Sequence, residues 1–213
     1  MSDPVEAAKA AVLDVRSRVQ RLDENGLDLI FREARSHNGW LDKPVDDAML
    51  RTLYEVVKWG PTSSCSSPAR FIFVRTPEGK EKLRPSLSKA NVDKTLTAPV
   101  VAIVATEFAF HDSVLRLYES EMMYNILKNN KEASDDTAIR NANLQGAYLI
   151  IAARALGLDC GAMSGFDKAK VDEAFFAGTT LKTNFLCALG YGDAGKVKKK
   201  WGRMSFDEAC TLA

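Results

Sequence analysis

The chain has 213 residues, of which 46% are hydrophobic and 27% are charged. This length and composition suit one globular domain with a core of its own, and they exclude a disordered or fibrous chain. The 29 Lys and Arg side chains nearly balance the 28 Asp and Glu side chains, which leaves a net charge of +1. Global charge therefore gives no reason to expect a nucleic-acid partner.

Cysteine and histidine usage limits the possible metal sites and the compartment. The four cysteines are widely spaced without a C-x-x-C pair, and the chain has only two histidines. We expect free thiols in a reducing compartment and no structural metal. The charged N-terminus lacks the apolar region of a signal peptide, and no apolar run approaches the roughly 20 residues of a membrane span. The sequence thus predicts a soluble, cytoplasmic protein without a membrane partner.

The first part of the chain is predicted to be helical. Apolar residues at helical spacing indicate a leading helix over 5–21 and a short one over 27–34, after which a polar loop follows. Pro44 followed by Asp46 and Asp47 indicates the start of a third helix, because acidic residues suit the positive N-terminal end of the helix dipole. The residues expected on its buried face are Met49, Leu50, Leu53, Val56 and Val57.

Strands and further helices are predicted after Gly60-Pro61, which ends the third helix. The run PVVAIVA over 99–105 is apolar on both faces, which is typical of a central strand. Residues 111–136 are charged and aperiodic towards their end, and they form either a helix with a mobile turn or a lid. The other expected elements are a strand over 71–74, a long apolar helix over 138–156 that ends at Gly157, a loop over 158–165, a helix over 168–176 and a strand over 183–191.

The order of these elements lacks a regular strand–helix–strand alternation. No G-x-G-x-x-G sequence follows either of the first two strands, so neither a Rossmann domain nor a phosphate-binding P-loop is expected. No repeat or linker divides the chain. A layered α+β domain is the fold class that the pattern favours.

The chain lacks the residue sets of the common protein-based catalysts. It has only two histidines and no serine within G-x-S-x-G, which leaves a hydrolytic triad without support. Cys65 has no activating neighbour in the sequence. If the protein is an enzyme, its chemistry therefore belongs to a bound cofactor.

Three small or polar segments and one basic run are poorly explained by core packing. A planar cofactor that carries a phosphate needs such parts: arginine for the phosphate, small residues where the backbone approaches a ring, and amides or hydroxyls for the ring's polar edge. Taken singly, each segment is also explained by a solvated loop. The segments are residues 35–38, 61–67 and 161–166, and the basic run comprises Lys196, Lys198–Lys200 and Arg203.

Taken together and in this order, the segments resemble the FMN-dependent nitroreductase superfamily. The similarity spans roughly residues 27–212. Residues 34–40 with Pro44-Val45 are similar to the family loop R-R-S-x-R-x-F and its following P-V, and residues 60–71 are similar to A-P-S-S-x-N-x-Q-P-W-R-F. Nearer the C-terminus, residues 162–167 are similar to P-I-x-G-F-D, and residues 203–208 are similar to R-x-P-x-E-E. The runs ARSHNGW, GPTS, SPARFIFV and ALGLDCGAMSGFD resemble the RutE-type branch, which reduces malonic semialdehyde to 3-hydroxypropanoate in pyrimidine breakdown.

The resemblance implies a fold, a cofactor and an assembly. The expected fold is a single three-layer α+β domain over 1–213, with residues 1–24 as a helical extension and a central mixed or antiparallel sheet flanked by helices. Two copies would intertwine as a homodimer with each FMN at the subunit interface. NADH or NADPH would supply hydride, which flavin N5 would pass to a small-molecule acceptor. Which nicotinamide nucleotide is used stays open.

The resemblance also implies cofactor contacts from several places in the chain, with no catalytic side chain. Arg35, Ser36 and Asn38 would meet the phosphate, the ribityl chain and the pyrimidine edge, and Asn91 would meet the same edge. The remaining contacts would be Pro61, Thr62, Ser63, Cys65 and Ser67 from the other subunit, Met163, Ser164 and Gly165 beside flavin N5 and O4, and Lys200 and Arg203 on the phosphate.

Several positions depart from the family pattern. Ala34 stands for the first arginine and Asn38 for the third basic residue of the first loop, so Arg35 would act with Lys200 and Arg203. Cys65 and Ser67 replace the family's Asn and Gln in the second loop. Two further residues keep alternative interpretations: Trp40 as a core residue, and His37 as either a loop-fixing hydrogen-bonder or a ligand contact.

Other functions remain open at this stage. The acceptor could be a nitro compound, a quinone or an enone instead of an aldehyde. The protein could bind flavin without turnover, or it could be a helical interaction module without a cofactor. A carboxylate-bearing substrate would need a cation near the flavin, for which Arg70, Arg116 and Arg140 are the candidates.

Overall fold

The computed structural model describes residues 3–213, which form two compact units that meet in sequence at Ala34 and Arg35. The first unit contains α1 (Pro4–Arg18), α2 (Glu24–Leu27) and a π-helical turn (Asp28–Arg32). The predicted leading helix thus ends three residues early, at Arg18. The short helix predicted over 27–34 is wrong in its bounds, since α2 and the π-helical turn cover residues 24–32. The single domain over 1–213 stays a prediction.

The second unit is built on a four-stranded antiparallel sheet. Its strands are β1 (Ala69–Val74), β2 (Val100–Glu107), β3 (Asp159–Met163) and β4 (Leu181–Gly190), in the order β1-β2-β4-β3. Every residue of β2 except the last is buried. The central position predicted for this apolar strand is therefore confirmed, because it has a neighbour on each side.

β3 corrects the sequence-based prediction of a loop over 158–165. It pairs with β4 from Asp159 opposite Gly190 to Met163 opposite Leu186. Its sequence DCGAM contains no β-branched residue, so local propensity gives little sign of a strand. Pairing with a long neighbour, which lies distant in sequence, determines the conformation here.

Two helices cover one face of the sheet, α3 (Asp47–Val57) and α8 (Lys131–Ala155). The carboxylate of Asp46 accepts a hydrogen bond from the Met49 amide (2.8 Å) and begins α3 as predicted. α3 buries Leu50, Leu53 and Val57 in the core on this face. The burial predicted for Val56 is wrong: a step of one residue turns it about 100° from Val57, and it is exposed.

Gly146 allows α8 to lie close to the sheet. A Cβ atom at this position would sit 2.5 Å from Cε1 of the Phe185 ring on β4. α8 begins at Lys131, seven residues before the predicted start at 138. The Asn130 side chain fixes this start, because its Oδ1 accepts a hydrogen bond from the Ala133 amide (3.1 Å).

Three helices cover the opposite face: α4 (Pro77–Leu83), α5 (Val92–Leu96) and α9 (Lys168–Phe176). Leu83 of α4 and Phe176 of α9 pack into a second core that includes Ile103 of β2. The unit therefore has helix, sheet and helix layers. This arrangement confirms the predicted three-layer α+β fold class, with a sheet that is antiparallel throughout.

The charged region predicted as a helix with a turn or as a lid consists of two helices before α8. α6 (His111–Tyr118) ends at Glu119, which has a left-handed φ of 55°, and α7 (Glu121–Asn129) follows. Near the C-terminus a short α10 (Phe206–Ala209) follows an irregular stretch. Within residues 3–213, no helix is both long enough and apolar enough to cross a membrane.

Leu53→Ala is expected to destabilise the protein strongly. The Leu53 side chain is fully buried between α3 and the sheet, so its truncation leaves a cavity and costs about 2–5 kcal/mol of unfolding free energy. Val56→Ala on the same helix, at a side chain 47% exposed, should change it by less than about 0.5 kcal/mol. Guanidinium denaturation at one protein concentration measures both, and similar losses for the two variants would contradict this packing.

Candidate functional site

The loop that follows Ala34 is hydrogen-bonded to the start of β3. The His37 amide donates to the carbonyl of Cys160 (2.9 Å), and Ser36 forms a parallel bridge with the same residue. Gly161 permits this close approach, since a Cβ atom there would lie 2.6 Å from the carbonyl oxygen of His37. The loop is thus held against an edge strand by backbone contacts that need a small residue on the strand.

The same loop is also attached to the residues after β4. The Leu41 amide donates to the carbonyl of Tyr191 (2.8 Å), and the Asp193 amide donates to the carbonyl of Gly39 (3.0 Å). Residues 36–41 are therefore fixed on two sides, which is the kind of support that a binding loop requires.

His37 joins these two attachments through its imidazole. Its Nε2 lies 3.2 Å from Oδ1 of Asp159, whose Oδ2 accepts a hydrogen bond from the Gly192 amide (2.8 Å). The ring packs directly on Gly192, because a Cβ atom there would lie 1.9 Å from His37 Nδ1. Of the two interpretations given for His37, the loop-fixing hydrogen bond is the one that the structure contains.

The predicted phosphate-binding residues of this loop lie beside the basic C-terminal run. The guanidinium of Arg35 donates a hydrogen bond to the carbonyl of Lys198. Ser36 is exposed, and the Asn38 amide group donates to the Ser36 carbonyl (3.3 Å). The three side chains Arg35, Ser36 and Asn38 thus stand on one loop next to a cationic segment.

A second set of predicted residues meets at the end of β3. The side-chain amide of Asn91 donates to the carbonyl of Gly165 (2.9 Å), as does the backbone amide of Ser88 (3.1 Å). A Cβ atom on Gly165 would lie 2.8 Å from Asn91 Nδ2, so glycine permits this contact. Met163 is buried, and its sulfur accepts from the hydroxyl of Thr95 (3.3 Å). Asn91 and Gly165 are therefore in direct contact, and Met163 and Ser164 immediately precede Gly165 at the end of β3.

Lys94 is a residue that the sequence analysis missed. Its side chain is buried (6% exposed) and passes Gly161, where a Cβ atom would lie 3.3 Å from Lys94 Cδ. Its ammonium group makes no hydrogen bond or ion pair with any residue between 3 and 213. Burial lowers the pKa of Lys94; a smaller contribution from Cys187 opposes this, and the neighbouring charge of Lys198 reinforces it.

The position of Lys94 in the sequence contained a signal that was not used. Lys94 follows Asn91 by three residues, so the two side chains point to the same side of the turn that begins α5. The indole of Trp40 donates to the Lys94 carbonyl (2.9 Å) and is itself buried, as its interpretation as a core residue requires. A lysine one turn after a predicted cofactor residue is thus a candidate for the same site.

The loop over 61–67 has an unusual backbone. Ser64, Cys65 and Ser67 have left-handed φ values of 49°, 47° and 41°, which cost free energy in residues other than glycine. The loop is held by the Asn141 side chain, whose Oδ1 accepts from the Ser63 amide (2.8 Å), and by Thr62 Oγ1, which accepts from the Ser67 amide (3.2 Å). Strain maintained by such contacts is frequent at functional sites.

The structure does not bring this loop to the other predicted residues within one chain. Residues 61–67 lead into β1, and Ser164 and Gly165 follow β3, and these two strands are the opposite edges of the sheet. Three strand spacings separate the edges, or about 14 Å. The residues Pro61, Thr62, Ser63, Cys65 and Ser67 therefore lie at the opposite edge of the sheet from Gly165.

The basic pair predicted for the phosphate lies in the irregular stretch before α10. Lys200 is exposed, and the guanidinium of Arg203 donates to the carbonyls of Trp201 (3.2 Å) and Gly202 (2.9 Å) of its own segment. Lys198 is the residue of this run that the structure places beside both Arg35 and Lys94. No group of three or more His, Cys, Asp and Glu side chains suited to a metal ion occurs in the described range 3–213.

Comparison with known proteins identifies the family. Residues 31–192 match the model of the nitroreductase family, and the chain therefore belongs to that family. The match includes the predicted residues from Arg35 to Gly165, whereas Lys200 and Arg203 lie beyond its end.

Solved structures have the same fold at low sequence identity. A candidate nitroreductase of Exiguobacterium sibiricum in complex with FMN has a TM-score of 0.78 and 17% identity, with 91% of this chain and 99% of that chain covered. A candidate NAD(P)H:FMN oxidoreductase of Staphylococcus epidermidis has a TM-score of 0.77 and 16% identity, with 92% and 99% covered. CLA-ER, an enone reductase of gut-bacterial fatty acid saturation metabolism, has a TM-score of 0.74 and 19% identity, with 91% and 100% covered.

Gly161→Ala is expected to displace the loop over residues 35–38. The added methyl group would lie 2.6 Å from a backbone oxygen, and relief of this overlap should cost about 1–3 kcal/mol of unfolding free energy. Gly202→Ala is the matched control, because a Cβ atom there meets nothing within 4 Å. Thermal or chemical denaturation compares the two. Equal stability of both variants would mean that the loop does not lie against β3.

Proposed function

We propose that this protein is an FMN-dependent oxidoreductase that uses NADH or NADPH to reduce a small aldehyde, with malonic semialdehyde as the substrate and 3-hydroxypropanoate as the product, in pyrimidine catabolism. The balanced reaction consumes one NAD(P)H, one proton and one aldehyde, and it releases NAD(P)⁺ and the alcohol. The observation that carries the proposal is Lys94, whose side chain is buried along its length and whose ammonium group has no partner among residues 3–213, between the two groups of predicted cofactor residues.

The residues around Lys94 fit a flat, phosphorylated flavin. A partly desolvated cation without a protein partner gains from a ligand that supplies electron-rich atoms, and the oxygen and nitrogen atoms at the flavin's pyrimidine edge would do so. Gly161 and Gly165 let the loop over residues 35–38, Lys94 and Asn91 approach the end of β3 closely, which gathers these groups around one place. When bound, FMN supplies the redox chemistry, in which N5 takes up hydride from the nicotinamide and passes it to the acceptor.

The chain's own residues would bind and orient this cofactor. Arg35 would bind the phosphate together with Lys200 and Arg203, since a guanidinium matches phosphate geometry. The other proposed contacts are Ser36 and Asn38 on the ribityl chain, Asn91 and Lys94 on the pyrimidine edge, and the backbone of Met163, Ser164 and Gly165 beside N5. The solved structure from E. sibiricum that contains FMN and the oxidoreductase from S. epidermidis support this choice of cofactor and donor.

A second copy of the chain would complete the site. The loop over 61–67 lies at the opposite edge of the sheet from Gly165, which supports contributions from two subunits to one flavin. The C-terminal stretch supports such an assembly, because it exposes large apolar side chains that a homodimer would cover. These side chains are Trp201, Met204, Phe206 and Leu212.

The acceptor and the compartment are also proposed. The proposal of malonic semialdehyde as the acceptor rests on the sequence runs that resemble the RutE-type branch. The structural similarity to CLA-ER supports an enone as the second candidate acceptor. The four cysteines Cys65, Cys160, Cys187 and Cys210 are all free thiols, which supports a reducing, cytoplasmic location.

Lys94→Met should weaken FMN binding and stabilise the protein without FMN. Loss of the cation is expected to raise the FMN dissociation constant at least about tenfold, as for a charged hydrogen bond. Because burial lowers the pKa of Lys94 in the folded state, the unfolded chain binds its proton more tightly. The stability gain of Lys94→Met is therefore largest at neutral pH, and it disappears as the pH rises towards the unperturbed value of 10.5.

Flavin fluorescence measures the affinity, and denaturation of the apoprotein at neutral and alkaline pH measures the stability. Lys82→Met on the exposed side of α4 is the control and should change neither. If the Lys94→Met protein binds FMN as tightly as the wild type, Lys94 does not contact the cofactor.

Reduction and reoxidation of the purified flavoprotein test the reaction itself. Under anaerobic conditions, NADH or NADPH should bleach the flavin absorbance. Malonic semialdehyde should then restore the absorbance with a larger second-order rate constant than a nitroaromatic compound does. A flavin that neither nucleotide bleaches would indicate a binding protein without turnover. Faster reoxidation by the nitroaromatic compound would favour a general nitroreductase. A protein that carries no flavin after incubation with FMN and removal of the unbound flavin would refute the proposal.

A further inference from the structure

A cleft of about 700 Å³ lies at the β1 edge of the sheet, between α3, α6 and the start of β1. It begins at Ser67, the last residue of the loop over 61–67, and its walls combine aromatic and basic side chains. Its aromatic residues are Tyr54, Trp59, Phe71 and Phe73, and its basic residues are Lys58, Arg70 and Arg116.

The charges that line this cleft have a single sign. No Asp or Glu is among the described residues that line it. Lys58 is neutralised by an ion pair with Glu55 outside the cleft. Arg116, on the exposed side of α6, has no hydrogen bond or ion pair within residues 3–213. The cleft therefore presents uncompensated positive charge to whatever enters it.

Arg70 is already oriented to receive an anion. One terminal nitrogen of its guanidinium donates to the carbonyls of Ser67 (3.0 Å) and Ala69 (2.9 Å), which fixes the plane of the group. The other N–H groups have no partner among residues 3–213. A guanidinium whose plane is fixed and whose outer edge is unpaired matches a carboxylate, which accepts two parallel hydrogen bonds.

The aromatic wall would accommodate the carbon skeleton of the same ligand. The Tyr54 and Phe71 rings pack edge to face, with centroids 6.4 Å apart, and form an apolar surface next to Arg70. An apolar wall with a few convergent charged groups is typical of a small-molecule site. Both features together suit an organic anion better than a free inorganic ion.

We propose that this cleft binds the carboxylate of the acceptor through Arg70 and Arg116 and thereby selects carboxylate-bearing aldehydes or enones. The proposal rests on the proposed function, because the loop over 61–67 would place the cleft beside the flavin of the other subunit. Arg140, the third cation considered from the sequence, lies on α8 in an ion pair with Asp136 and does not line the cleft.

Binding of benzoate to the FMN-loaded protein tests the cleft independently of turnover. Calorimetry should show binding of benzoate but not of benzamide, with a simultaneous change in flavin absorbance. Arg116→Gln and Arg70→Gln should each raise the benzoate dissociation constant at least about tenfold, the effect of a lost charged hydrogen bond. Arg140→Gln is the matched control and should leave it unchanged. Equal benzoate affinity in all four proteins, or binding without a flavin response, would overturn the assignment.

Turnover separates this inference from the proposed function. With malonic semialdehyde, Arg116→Gln should raise KM at least about tenfold. With propanal, which lacks the carboxylate, the same substitution should lower kcat/KM at least about tenfold less than it does with malonic semialdehyde. Equal losses for both aldehydes would contradict carboxylate recognition. If NADH and NADPH do not bleach the flavin of the wild type, the proposed function is refuted. The benzoate measurements then decide separately whether the cleft binds a carboxylate.

Discussion

The pairing of β3 with β4 is the interaction on which the candidate cofactor site depends. β3 offers the carbonyl of Cys160 to the loop that contains Arg35, and its Gly161 lets Lys94 pass. The same strand delivers Gly165 to Asn91. Three segments that are remote in sequence therefore meet only because one short, glycine-containing edge strand is in register with β4.

The least compensated feature of the site is the partly desolvated ammonium group of Lys94. A lysine in the core of a layer usually lowers stability, because its ammonium group loses hydration without gaining a partner. Trp40 nevertheless fixes the backbone of this residue through the Lys94 carbonyl, and Gly161 leaves room for the stem of the side chain. A charged side chain that is desolvated without a partner in the chain indicates a place where a ligand binds. The polar residues around Lys94 were predicted as cofactor contacts from the sequence alone, without reference to this lysine.

The sequence predicted the elements whose signals are local. The cap of α3 at Asp46 and the two-sided apolarity of β2 both appear in the structure as expected. β3 was not predictable in this way, because DCGAM lacks strand propensity and gains its hydrogen bonds from partners that follow it in sequence by 23 residues (Met163 to Leu186) to 31 residues (Asp159 to Gly190). Lys94 was overlooked for a different reason: burial of a cation follows from tertiary packing, and only its spacing from Asn91 indicated its direction.

Sheet order connects the two candidate sites of this chain. The proposed cofactor residues lie at the β3 edge and the anion cleft at the β1 edge, so within one chain they are separated by the width of the sheet. A twofold dimer would bring the β3 edge of each chain to the β1 edge of the other with identical contacts on both sides. Under the proposed function, cofactor binding and acceptor selection would therefore both depend on association, and a monomer would bind the two ligands at separate places.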